Sequence, residues 1–80
     1  MKIFTAPQAE IGHTTLQASH EDWAQLLATM PTIKDRRERQ RLAATARAIQ
    51  LAIDTDESPA PRVRMEADIA RMIVDISRRS

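Results

Sequence analysis

The chain has no cysteine, one glycine, one tryptophan and one phenylalanine. Each scarcity removes a class of chemistry. Without cysteine there is no disulfide, no thiol nucleophile and no cysteine-containing zinc site. His13 and His20, seven residues apart, are the remaining soft ligands and make no metal signature, so neither a metal nor a cofactor is expected. Two aromatic side chains build neither a stacking platform for single-stranded bases nor an aromatic cage. A lone Gly12 leaves no glycine-rich phosphate loop. No apolar run approaches the roughly 18 residues of a membrane span. Met1 to Pro7 has neither an extended charged region nor an apolar stretch of leader type, so a cytoplasmic protein without a membrane partner is expected.

What is present is 80 residues, 42% hydrophobic and 29% charged, with a net charge of +1. That composition suits a folded domain and is too apolar for wholesale disorder. The length allows one domain, and a chain this short buries only about 60% of its unfolded surface. With disulfides and metal excluded, a partner or a second identical chain is the remaining source of burial, which points to a homodimer. Ten of the twelve cations are arginine, and guanidinium suits bidentate contact with carboxylate or phosphate, although a coding bias gives the same count.

The fold class read from the pattern is mainly α, a three-helix domain with a short N-terminal β-hairpin or extended arm at residues 2–18. Lys2 to Ala6 and His13 to Gln17 are rich in β-branched residues and flank a loop with Pro7 and Gly12. Ser19-His20-Glu21-Asp22 is a capping box, so the first helix is placed at 19–30, with Trp23, Leu26, Leu27 and Met30 as its apolar stripe and Pro31 as its stop. Thr32-Ile33-Lys34-Asp35 repeats the box and opens a second helix over 33–54. An acidic, proline-containing loop occupies 55–61. A third helix over 62–79 carries Met65, Ile69, Met72 and Ile76 on one side, with Arg64, Asp68, Arg71, Asp75 and Arg79 alternating in sign on the other.

The second helix holds the main functional candidates. Residues 34–41 contain five cations and two acids. Such a stretch can lie on phosphates, and each neutralised phosphate adds salt-dependent affinity. It can equally be a solvated face in which Asp35 pairs with Arg39 and Glu38 with Arg41. Followed by Leu42 and Ile49, it resembles a basic region running into a leucine zipper, but the repeat stops at Ile53 and the basic part lacks an Asn to read a base edge. The capped helix, Pro31 turn and basic helix are similar to a helix-turn-helix, without glycine in the turn.

Leu42, Ala46, Ile49 and Ile53 fall at offsets of four, seven and eleven, forming a seam. Ile33, Ala44, Ala48 and Leu51 fall on nearly the opposite side. In a three-helix monomer one row meets helix 1 and the other helix 3. Alternatively one row forms a symmetric dimer contact, with Ala43, Ala44, Ala46, Ala48 and Ala52 allowing close approach.

Other constellations are thinner. Asp54, Asp56 and Glu57 lack the glycine and further oxygen ligands of a calcium loop. His13 and His20 could work with Glu10 or Glu21 as acid and base, yet no nucleophile or oxyanion motif accompanies them. Trp23 is either a core residue or, if exposed beside Met30, a binding anchor. The expectation is a non-enzymatic regulator that occludes or bridges a protein with an acidic surface, in the manner of phage- or plasmid-borne inhibitors and adaptors. Trp23, Arg36, Arg37, Arg39, Arg41 and Arg47 are its candidate contacts. The alternative is a DNA- or RNA-binding regulator using the helix at 34–47.

Overall fold

The computed structural model describes residues 12–79. Strand β1 (His13–Gln17) leads into helix α1 (His20–Thr29), a single 3-10 turn (Met30–Thr32), helix α2 (Arg36–Thr55), strand β2 (Arg62–Glu66) and helix α3 (Ala67–Arg79). The domain is mainly α, with three helices beside a two-stranded antiparallel sheet. The expected strand at His13–Gln17 forms. Its expected hairpin partner, Lys2 to Ala6, lies outside the described residues.

Among the described residues, the partner of β1 is β2, with Thr14 opposite Met65 and Leu16 opposite Val63. The sequence pattern places 62–66 in the first turn of helix 3, whereas the structure makes it a strand and starts the helix at Ala67. Arg-Val-Arg-Met-Glu alternates strictly, so a strand buries Val63 and Met65 on one face and leaves Arg62, Arg64 and Glu66 outside. A helix would have scattered them. The Ala67 amide donates to the Gly12 carbonyl at 2.9 Å, tying the start of α3 to the chain entering β1.

Helix starts follow side-chain chemistry. The Ser19 hydroxyl accepts from the Asp22 amide at 3.1 Å, one half of the expected capping box, and Glu21 and Asp22 sit at the positive helix end. Pro31 stops α1, and the chain turns through the 3-10 segment. The box at Thr32 does not form, because the Thr32 hydroxyl donates back to the Thr29 carbonyl. Asp35 caps α2 instead, its carboxylate accepting from the Arg37 and Glu38 amides at 2.9 and 3.4 Å. A charged acceptor at a free helix end is the stronger cap.

Leu16, Trp23, Leu26, Leu42, Ile49 and Ile73 form the fully enclosed centre of the core, with Val63, Met65, Ile69 and Ile76 around them. The helix-2 seam therefore belongs to the core of a single chain. Leu42 and Ile49 are buried, while Ala46 and Ile53 are partly buried against them. Of the second row, Ile33, in the turn before α2, is partly buried against the core, but the other three do not meet helix 3 as a three-helix packing would require. Ala44, Ala48 and Leu51 are exposed, and Leu51 retains 65% of its surface. Helix α2 contacts α1, β2 and α3, and the sheet supplies part of the cover that a bundle would have taken from the opposite row.

Candidate functional site: the outer face of α2

Helix α2 is 20 residues long, about 30 Å at 1.5 Å per residue. Leu42 and Ile49 anchor one side in the core, which fixes what the other side presents. At about 100° per residue, Arg36, Arg37, Gln40, Ala44, Arg47 and Leu51 project away from the core. All six are exposed. Along its length the face is cationic in the first turns, carries Ala44, Arg47 and Ala48 in the middle, and ends in Leu51 and Asp54.

The candidate arginines separate into two groups. Arg36, Arg37 and Arg47 stand on the outer face without an ion-pair partner among the described residues. Arg39 turns inward, and its guanidinium donates to the carbonyls of Ile33 and, at 3.2 Å, Lys34. It closes the turn that feeds α2 and is half-buried. Arg41 reaches across to Glu66 at 3.6 Å and Asp68 at 4.0 Å, joining α2 to the β2–α3 junction. The Asp35–Arg39 and Glu38–Arg41 pairs expected along the helix are not the ones formed. Asp35 is used as the cap, and Arg41 finds its acids on another element.

Trp23 is fully enclosed, and its indole N–H donates to the Pro61 carbonyl at 3.0 Å. That is the core role rather than the anchor. Among the described residues the large apolar side chain left exposed is Leu51, a member of the second apolar row.

The other candidates do not converge. His13 pairs in register with Glu66 across the sheet, whereas His20 opens α1 with its ring nitrogen 2.8 Å from the Ser58 carbonyl. Glu10 lies outside the described residues. Asp54 accepts from Gln50 at 3.0 Å, and Asp56 accepts from the Ser58 amide at 2.9 Å. That bond, a second from the Ser58 hydroxyl and the nearby His20 hold the Asp56 carboxyl below its ordinary value. These oxygens serve local turns rather than a ligand sphere. Among the described residues no group of three His, Asp or Glu side chains could hold a metal ion. A shallow groove of about 460 Å³ lies between the 3-10 turn and the end of α3, but Lys34 and Arg79 share it with Asp35 and Glu38. Its charges oppose one another, so it selects no anion.

No helix among the described residues is long and apolar enough to cross a membrane. No protein-family model, curated protein or solved structure matches the chain.

Proposed function

We propose that the chain is a small non-enzymatic regulator that binds a partner protein through the outer face of α2. The observation that carries this reading is the exposure of Leu51 on the same stripe as Arg36, Arg37 and Arg47, next to the flat surface of Ala44 and Ala48. An apolar side chain with small neighbours gives a helix a place to seat in a groove, and flanking guanidinium groups set register against carboxylates. The partner carries an acidic surface, and binding acts by occlusion or bridging, as an inhibitor or adaptor does. Association as a homodimer and a cytoplasmic setting belong to the same proposal.

Immobilised wild-type protein, compared with Leu51→Asp and with Arg36→Glu/Arg37→Glu/Arg47→Glu, tests the reading in an extract of the source cell. A protein retained by the wild type and lost from both variants is expected. An identical set retained by all three removes the α2 face from function.

A second reading, contact with DNA or RNA, draws on the same cations, because no acid projects from the outer face between Arg36 and Arg47. Arg39 and Arg41 are engaged within the fold, which leaves three arginines for phosphate. Each phosphate neutralised contributes a slope of about 0.9 in log affinity against log salt. A mobility shift at low and moderate salt separates the two readings: retardation at low salt that fades steeply favours nucleic acid, and none at low salt excludes it.

A further inference from the structure

The outer face of α2 is complementary to itself. Exposed Arg36 and Arg37 occupy its first turn, Asp54 its last, and Asp56 and Glu57 follow directly. Arg47, Ala48 and Leu51 lie between. Two such helices side by side in the same direction would set Arg36 and Arg37 against their own copies. Reversed, each basic end meets the other's acidic end and the helix dipoles oppose favourably, with Arg47 alone left facing its own copy near the midpoint.

We infer that a second copy of this chain occupies the outer face of α2, with the two helices antiparallel. The inference rests on the reading of that face as a protein-docking surface and names its occupant. A two-fold axis at the level of Arg47 and Ala48 sets Leu51 of each copy level with Ala44 of the other. The large exposed side chain of Leu51 then lies over one of the smallest, which lets the helices approach closely. The same register brings the acidic turn 54–57 of one copy beside residues 38–41 of the other, within reach of Arg37. Isologous pairing needs one such face and no more.

The extent of the contact sets its strength. A single pair of helices about 30 Å long falls toward the lower end of the roughly 1,200–2,000 Å² buried by stable interfaces. The dimer is accordingly weak and concentration-dependent.

The absence of native cysteine makes the test direct, because any introduced thiol is the only one. Sedimentation velocity from micromolar to millimolar protein should show the 9.0 kDa chain passing to twice that mass, with Leu51→Asp weakening association at least tenfold. Under mild oxidation Ala48→Cys should cross-link to itself. Gln40→Cys alone should not, whereas a mixture of Gln40→Cys and Thr55→Cys should give the mixed disulfide. Circular dichroism verifies that each variant is folded. Wild type that stays monomeric at millimolar concentration overturns the dimer. If its partner capture is still lost with Leu51→Asp, the docking face survives without the second copy. Self-cross-linking of Gln40→Cys overturns the antiparallel arrangement. A dimer indifferent to Leu51→Asp overturns this placement, and undiminished partner capture by that variant separately overturns the docking face.

Discussion

The indole N–H of Trp23 donates to the Pro61 carbonyl at 3.0 Å, although 38 residues separate the two. The same carbonyl accepts from the Ala18 amide at 3.3 Å. One oxygen thus joins the start of β2 to both the end of β1 and the buried side of α1. Trp23→Phe keeps most of the ring and removes the donor, and Pro61 retains its Ala18 bond. A loss of about 1 to 2 kcal/mol is expected in urea unfolding followed by far-ultraviolet dichroism. Trp23→Ala, which also opens a cavity, should cost about 3 to 5 kcal/mol. Equal losses for the two variants would show that the hydrogen bond, not the packing, fixes this residue.

Arg39 and Arg36 are three residues apart and should behave oppositely. Arg39 caps the carbonyls of Ile33 and Lys34 from a half-buried position, so Arg39→Ala removes charge-assisted hydrogen bonds and the packing of its stem. About 1 to 2 kcal/mol of stability should be lost. Arg36 touches no acid among the described residues, and Arg36→Ala should stay within about 0.5 kcal/mol of wild type. Thermal unfolding of the two variants side by side makes the comparison. A destabilised Arg36→Ala would mean that this arginine serves the fold.

These two residues also show where sequence reading reaches its limit. Ser19 and Asp22 could be matched because a cap needs only neighbouring residues, and the seam at Leu42, Ala46, Ile49 and Ile53 because periodicity is local. Arg39 and Arg41 looked alike within one charged run. Their difference depends on a carbonyl in the preceding turn and on Glu66, which the chain reaches only after β2 has formed. The strand at Arg62–Glu66 was visible as alternation, but the four-residue step from Met65 to Ile69 favoured a helix. That step in fact crosses from strand to helix at Ala67. Ala44, Ala48 and Leu51 could be assigned an angle on α2. Which angle met solvent depended on β2 replacing a helix neighbour, which local spacing does not encode.

Leu42 and Leu51 give the matching contrast on the two sides of α2. Leu42 is 1% exposed and Leu51 65%. Leu42→Ala should cost about 2 to 5 kcal/mol, because a buried side chain is lost and a cavity remains. Leu51→Ala should change stability by no more than about 0.5 kcal/mol in dilute solution. Chemical denaturation at micromolar concentration is the measurement. A large loss at Leu51 would place that side chain inside the folded unit.

Gly12 has φ +90°, and a Cβ built there meets nothing within 4 Å. Any cost of Gly12→Ala is therefore conformational, roughly 1 to 2 kcal/mol for an L side chain in left-handed backbone. The Gly12 carbonyl also receives the Ala67 amide, so a shift in this backbone should register at the start of α3. Hydrogen exchange should become faster at Ala67 in the variant, while the amides at the centre of α2 hardly change. Unchanged stability and exchange would show that the backbone relaxes at no cost.

Asp56 supplies the pH prediction. Its carboxylate accepts from the Ser58 amide at 2.9 Å, and the bond favours the charged form in the folded chain. A carboxyl whose folded value is depressed contributes stability above its unfolded value, and that contribution fades as pH falls through the folded one. Asp56→Asn should therefore be less stable than wild type at neutral pH. The gap should narrow on acidification and close once Asp56 is protonated in both folded and unfolded chains. The effect is small, because the turn is open to solvent and the charge is screened. Titration followed by carbon-13 chemical shifts should place the Asp56 midpoint below that of an unfolded reference peptide. A midpoint at or above the peptide's, or a stability gap that persists at low pH, would show that the turn does not depend on the charge.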